Sequence, residues 1–272
     1  MNVKIGFIGV GNMGGAILKG YVSKSGKKED ILIFDADGGK MDKFREDGFY
    51  SCEGIGKLTE KSDIIIIGVK PDTFRHVLPE IAEKYTSEKV LVSMAAGIGI
   101  SFIEKFAGEK AKVIRVMPNT PALVCEAVTA LCANKNVTAE DARNVKLIFE
   151  QIGKVCEIPE ELIHCSIGVS GSSPAYTYMY IEALVKAAVK NGMDEKQALV
   201  CAAQSVLGAA KMVLETGEDP ERLRINVCSP GGTTIEAVQK LQERGFMETV
   251  EEAFQAAVDK SEKMAEILRQ SD

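Results

Sequence analysis

Val3-Lys4-Ile5-Gly6-Phe7-Ile8-Gly9-Val10-Gly11-Asn12-Met13-Gly14-Gly15-Ala16-Ile17-Leu18-Lys19-Gly20-Tyr21-Val22 runs from an apolar stretch, through three glycines spaced G-x-G-x-x-G, into helical periodicity. The run Val3 to Ile8 predicts a buried strand. Met13, Ile17, Leu18 and Tyr21 fall at helical spacing and predict a helix over Gly11 to Val22. Each glycine between them has its own task. The first makes a tight turn, the second lets backbone approach a pyrophosphate, and the third lets the helix pack close to the strand. The helix start offers unbonded N–H groups and a partial positive charge to phosphate. Glycine spacing alone is a weak signal. With a strand before it and a helix after it, Gly9, Val10, Gly11, Asn12, Met13 and Gly14 read as a dinucleotide-binding turn.

Outward from this turn, strand and helix signals alternate. Ile31 to Phe34, Ile64 to Ile67, Val90 to Val92 and Val113 to Val116 are short runs rich in β-branched residues. Continuous runs of this kind indicate strands covered on both faces. Strands separated by helices imply a parallel, doubly wound sheet. Val128 to Leu131 and Val155 to Ile158 are expected to add edge strands. Asp35 closes the second run, about 20 residues past the last glycine, where an acid bonds the ribose hydroxyls and favours NAD over NADP. Lys40 is the nearby cation able to reach a phosphate. Gly68-Val69-Lys70-Pro71 and Ser93-Met94-Ala95-Ala96-Gly97 follow strands at their carboxyl ends, where open α/β sheets bind ligands. Pro71 is expected to begin a helix. Met117-Pro118-Asn119-Thr120-Pro121 reads as a rigid loop holding Asn119 toward the nicotinamide. For each segment the competing reading is an ordinary strand-to-helix turn.

Near residue 160 the period changes from strand to helix. Residues 1-160 are therefore expected to form a dinucleotide-binding domain and residues 161-272 an all-α domain. Helices are predicted over Pro174 to Asn191, Asp194 to Glu215, Thr233 to Glu243 and Met247 to Arg269. Asp194 and Asp219-Pro220 supply caps, and Gly192 and Gly217 supply stops. Ala198 to Val213 is apolar on more than one face, as a fully buried helix would be. Burying it takes the first domain or a second copy, so a homodimer is expected. Ser170-Gly171-Ser172-Ser173-Pro174-Ala175-Tyr176 reads as a capped turn facing the cofactor domain. Ser229-Pro230-Gly231-Gly232-Thr233-Thr234 opens a helix with exposed amides and two hydroxyls, an arrangement suited to a carboxylate or phosphate.

The composition narrows the field. The chain has 272 residues, 46% hydrophobic and 26% charged, with a net charge of -6. No basic excess exists to neutralise phosphates, so a nucleic-acid partner is not expected. No run of about 18 apolar residues suggests a membrane span. Met1 to Gly9 leads directly into a strand pattern without a secretory signal, so a cytoplasmic location is expected. The seven cysteines form no C-x-x-C pair, and most sit among apolar neighbours, as small reduced core residues do. His76 and His164 have no ligand-spaced companions, so no metal is expected.

The chain resembles the pyrroline-5-carboxylate reductases over nearly its whole length. The most specific part runs from Pro220 through Leu223, Val227, Cys228, Ser229 and Pro230 to Gly231-Gly232-Thr233-Thr234-Ile235 and Ala237. Ser170-Gly171, Pro174-Ala175-Tyr176, Val69-Lys70-Pro71 and Met117 to Pro121 fit as well. Ser173 and His164 depart from the family's common residues. The resemblance implies a Rossmann-like domain and a helical domain that forms an interlocked dimer, often assembled into larger rings. It implies that Asn226, Ser229, Gly232, Thr233 and Thr234 surround the substrate carboxylate. It also implies cofactor contacts from Gly9 to Met13, Asp35, Gly68 to Pro71 and Ala95 to Gly97.

The implied reaction is hydride transfer from NAD(P)H to the imine carbon of 1-pyrroline-5-carboxylate, giving L-proline. A cyclic imine can take its proton from water before binding, so no dedicated acid is needed, and Thr234 is the candidate partner of the ring nitrogen. The family commonly uses NADPH, whereas Asp35 suggests NADH. Two alternatives remain. A related imine or 3-hydroxyacid reductase would present a Lys as proton donor; Lys186 and Lys190 are available but read as solvent-facing. A non-catalytic dinucleotide-binding regulator would bind cofactor without turnover.

Overall fold

The computed structural model describes residues 3–24 and 28–270, with side chains as far as residue 268. Met1 and Asn2, part of the N-terminal reading above, lie outside the described residues. The chain divides into two compact units, Met1–Gly171 with Ala257–Asp272, and Ser172–Ala256.

The first unit begins with β1 (Ile5–Ile8), α1 (Asn12–Lys24), β2 (Ile31–Phe34), α2 (Gly38–Glu46), β3 (Tyr50–Ser51), α3 (Ile55–Lys61) and β4 (Ile64–Ile67). It continues through α4 (Phe74–Ala82), β5 (Val90–Ser93), α5 (Ile100–Ala107), β6 (Lys112–Pro118), β7 (Ala127–Ala133), α6 (Ala139–Glu150), β8 (Gly153–Glu157) and α7 (Ile163–Ser166). The eight strands form one sheet in the order β3-β2-β1-β4-β5-β6-β7-β8. Chain direction reverses its walk between β1 and β4, and that is the crevice where such sheets bind ligands. Ile5, Ile64 and Val90 lie in register, and Ile8, Ile67 and Ser93 close the same three strands. Apolar clusters cover both faces. Ile17, Phe149 and Ile152 lie on one face and Leu58, Phe74 and Leu78 on the other, all fully buried. This explains why the strands read as unbroken apolar runs.

Two expectations about the sheet are corrected. The strand containing Val128 to Leu131 is interior, paired antiparallel with β6 and parallel with β8; of the two expected edge strands, β8 alone lies at an edge. The sheet is therefore mixed. Eight residues of tight loop, Asn119 to Glu126, turn β6 directly back, whereas β7 and β8 are joined through α6 and so run parallel. The other edge, β3, is only two residues long. Pro71 does open a helical segment, a single 3₁₀ turn leading into α4.

The second unit comprises α8 (Ser173–Lys190), α9 (Glu195–Thr216), α10 (Pro220–Val227), α11 (Thr233–Glu243) and the first half of α12 (Phe246–Gln270). The caps form where the residues suggest them. Asp194 accepts from the N–H groups of Lys196 and Gln197, Asp219 from those of Glu221 and Arg222, and Gly217 closes α9 in the left-handed region at φ 66°.

The expectation that Ala198 to Val213 is buried fails in the single chain. Only Ala198 and Ala202 of α9 are buried, and Val200 and Leu214 are 67% and 72% exposed. Leu199 and Leu207 are likewise about half exposed, at 52% and 55%. By length and composition alone, α9 would also suffice to cross a membrane. The expected burial of most cysteines is also corrected. Cys52 and Cys132 are buried, Cys125 and Cys228 partly so, and Cys156, Cys165 and Cys201 are exposed; all seven are free thiols. Burial pushes the Cys132 thiol up to about 11, with Glu160 adding to the effect, so it stays protonated at neutral pH.

Candidate active site

The glycine turn has the geometry its spacing implies. Gly9 sits at φ +90°, and a Cβ there would lie 2.9 Å from the Gly68 carbonyl group. A Cβ on Gly14 would lie 2.3 Å from the Gly9 oxygen, so α1 packs against the turn without room for a methyl group. A Cβ on Gly11 would meet nothing within 4 Å. The outer two glycines are thus required by the protein's own packing. The middle one faces open space, as a position approached by a ligand must. α1 starts with no acidic residue in its first turn, leaving its positive end uncompensated. These features fit a dinucleotide pyrophosphate. A cleft of about 510 Å³ opens beside Val10, Gly11 and Asn12 and runs along α1 to Lys19, with Lys40 and Phe44 opposite.

Asp35 is bound into the same turn. One oxygen accepts from the Val10 N–H at 2.9 Å and the other from the Asp37 N–H at 2.9 Å. Lys40 Nζ lies 3.7 Å from Asp35 and 3.8 Å from Asp37. Asp37 caps α2 by accepting from Gly39 and Lys40 N–H groups, which fixes the loop carrying both acids.

The Gly68 turn backs directly onto the Gly9 turn. Its N–H donates to the Ile8 oxygen at 2.7 Å, and a Cβ on Gly68 would lie 2.7 Å from the Gly9 oxygen. Val69 is half-buried, Lys70 is exposed, and Pro71 starts the 3₁₀ turn. After β5, Ala95 and Gly97 are buried and Ala96 half-buried. The structure therefore brings Gly9 to Gly14, Asp35, Gly68 to Pro71 and Ala95 to Gly97 to the carboxyl ends of β1, β2, β4 and β5.

Asn119 reaches the carboxyl end of β6, but its side chain is committed to the fold. It is 8% exposed, donates to the Ser170 oxygen at 3.0 Å and accepts from the Val128 N–H at 3.0 Å. It ties the 3₁₀ turn Thr120–Val124 to β7 and to the segment Ile167–Gly171. That segment is a π-turn; the turn expected over Ser170 to Tyr176 does lead into a helix with Pro174 in its first turn, but no side chain caps it. Ser170 Oγ donates back to the Ser166 oxygen, and Ser172 makes no side-chain cap. A hydroxyl bonded back four residues satisfies a carbonyl the widened turn leaves free.

Sequence reading passed over Arg115, set within an apolar strand run. Its side chain is 4% exposed, and Nη1 lies 3.3 Å from Glu160 Oε1. Its Nε and Nη2 are buried without a partner. The same Glu160 oxygen accepts the Ile100 N–H at 2.8 Å, capping α5. Arg115 is in register with Ser93, one residue before the turn after β5. Its signal in the sequence is one charge inside the apolar run Val113 to Met117.

In the second unit, Asn226, Ser229, Gly231 and Thr233 are exposed, while Gly232 and Thr234 are half-buried. Gly231 takes φ +69°, and the Gly232 N–H donates to the Ser229 oxygen at 3.0 Å, folding the loop tightly onto α11. Gly232 is the N-cap and offers no side-chain acceptor to the first turn. The α11 amides are thus left for another acceptor. Lys186 is exposed and paired with Glu182 on the same helix, and Lys190 is exposed.

A doubly wound sheet with a glycine turn at its switch point, continued by a separate helical unit, defines a nicotinamide-dependent oxidoreductase of the two-unit kind. The family described as NADP oxidoreductase, coenzyme F420-dependent, matches residues 4–97, and that described as pyrroline-5-carboxylate reductase dimerisation matches residues 160–264. The chain is 45% identical over 268 residues to the pyrroline-5-carboxylate reductase of Escherichia coli (strain K12), covering 97% of this chain and 99% of that one. It belongs to the pyrroline-5-carboxylate reductase family.

Solved structures agree. Plasmodium falciparum pyrroline carboxylate reductase with NADP bound is 34% identical with a TM-score of 0.86, covering 97% of this chain and 98% of that one. The Coxiella burnetii pyrroline-5-carboxylate reductase is 32% identical with a TM-score of 0.92, covering 97% and 99%.

Proposed function

We propose that this chain reduces 1-pyrroline-5-carboxylate to L-proline with NAD(P)H. The observation that carries the reading is the open face of Gly11, between two glycines that the protein's own packing demands, in a chain of this family. When bound, the nicotinamide supplies the hydride. The protein holds and orients. Gly9 to Gly14 receive the pyrophosphate, and Gly68 to Pro71 with Ala95 to Gly97 receive the nicotinamide half. The uncapped amides of Thr233 and Thr234 hold the substrate carboxylate at the positive end of α11, with Gly232, Asn226 and Ser229 beside them. The imine arrives protonated from water, so orientation alone carries most of the acceleration. The Thr234 hydroxyl accepts from the ring N–H. Thr234→Ala is expected to raise KM for the imine about tenfold, roughly 1.4 kcal/mol, and to leave the Kd for NAD(P)H unchanged. Weakened cofactor binding with an unchanged imine KM would contradict this placement.

The same proposal favours NADH over NADPH. Two carboxylates, Asp35 and Asp37, face one cation, Lys40, where an adenosine 2′-phosphate would sit. Asp35→Asn keeps an acceptor for the Val10 N–H and removes one charge. It is expected to shift the kcat/KM ratio toward NADPH about tenfold, or ~1.4 kcal/mol; steady-state rates with each cofactor read it. An unchanged ratio would contradict the charge argument.

We assign the exposed apolar side chains of α9, Leu199, Val200, Leu207 and Met212 among them, to a homodimer interface or a larger assembly of dimers. A matching dimerisation family and the continuous apolar surface support this use over a membrane span. A cytoplasmic location completes the proposal, and seven free thiols are consistent with it.

A further inference from the structure

The turn after β5 is held loosely by its own backbone. The Met94 N–H reaches the Ile67 oxygen at 3.3 Å, and the Ala95 N–H reaches Ser93 Oγ at 3.4 Å, both long for hydrogen bonds. The turn also lies against the last turns of α12. At Gly97, where φ is +83°, a Cβ would lie 2.7 Å from Leu268 Cδ1 and 3.6 Å from Ala265 Cα. The glycine backbone is therefore pressed flat against that helix.

α12 is itself well anchored there. Val258, Ser261 and Ala265 are buried, and with Leu268 they form one stripe at spacings of three, four and three residues. Ser261 Oγ is hydrogen-bonded to His164 Nδ1 at 2.8 Å, fastening the helix to α7. Leu268 packs against the same cluster as Ala95 and Ile98.

We propose that Leu268, seated by Ala265 and the His164–Ser261 bond, is a positioning residue for the dinucleotide: it is the backstop of the Ala95–Gly97 turn. The inference rests on the reading that this turn contacts the cofactor. Without the Leu268 methyl groups, the turn has space to move toward α12, and ordering it again opposes binding. Leu268 touches no reacting atom, so the chemical step is unaffected once cofactor is bound.

The test is a dihydronicotinamide fluorescence titration of the full-length protein, with steady-state kinetics alongside. Leu268→Ala is expected to raise the Kd for NADH fivefold or more. kcat at saturating NADH and KM for the imine stay within twofold. Leu268→Met, which refills the space, should restore the Kd. Gly97→Ala is the companion variant, since it forces a side chain into the turn itself. If Gly97→Ala weakens NADH binding and Leu268→Ala does not, the backstop role is overturned while the cofactor reading of the turn stands. If neither variant changes the Kd, the cofactor reading of this turn fails and the inference falls with it.

Discussion

Gly14→Ala is expected to weaken NAD(P)H binding at least about a hundredfold, or ~2.7 kcal/mol. The added Cβ would sit 2.3 Å from the Gly9 oxygen, a backbone atom that cannot rotate away. Either α1 lifts from the turn or the turn opens, and both displace the amides meant for the pyrophosphate. Gly11→Ala makes the informative contrast. Its methyl group meets nothing of the protein within 4 Å, so the fold accommodates it, yet it occupies the space left for the ligand. Fluorescence titration and thermal melting of both variants separate the two effects. Gly14→Ala should lose affinity and stability together, whereas Gly11→Ala should lose affinity at nearly unchanged Tm. Affinity within threefold of the parent for both variants would mean that the cofactor does not use this turn.

Glu160→Ala is expected to lower stability by about 3 kcal/mol, because it leaves the buried Arg115 guanidinium without its counter-charge. The same change uncaps α5, whose Ile100 N–H bonds Glu160. For a chain of this size, that loss lowers Tm by about 6–12 °C. Two further variants isolate the cause. Glu160→Gln keeps an acceptor for the Ile100 N–H and should recover part of the loss. Arg115→Met in the Glu160→Ala background removes the stranded charge, together with the two guanidinium nitrogens that already lack partners, and should recover more. A Tm drop under about 2 °C for Glu160→Ala would show that the pair carries little.

Much of the fold was legible because it is local. The strand-glycines-helix order around Gly9 to Gly14 is encoded within twenty residues, and each glycine's space matches its assigned task. The strands at Ile31, Ile64, Val90 and Val113 were readable because burial on both faces demands unbroken apolar runs. Helix caps at Asp194 and Asp219 were readable because one short side chain satisfies adjacent N–H groups.

What was hidden is non-local. Periodicity states that Val128 to Leu131 is a strand but not that β8 lies outside it. β3 is too short to leave a pattern, and its Tyr50 is 54% exposed. The two ends of the Asn119 side chain are consumed by Val128 and Ser170, partners 9 and 51 residues away, which no spacing rule could supply. Apolar residues on several faces of α9 suggested burial, yet a single chain leaves Leu199 and Leu207 about half exposed, at 52% and 55%. Patterning does not say whether the surface that covers an apolar face lies in the same chain or in another copy. Of the candidate site, the glycine turn was readable from one contiguous motif. The stretch Gly232 to Thr234, proposed to hold the substrate, was readable only as an amide-rich helix start, and the family resemblance suggested its ligand.

Initial rates with 1-pyrroline-5-carboxylate, measured with NADH and with NADPH in parallel, bear most directly on what this protein does. Oxidation of the nicotinamide with formation of one L-proline per turnover, faster with NADH, is the expected result. Tight nicotinamide binding with no imine reduction by either cofactor, or turnover of a 3-hydroxyacid in its place, would contradict it.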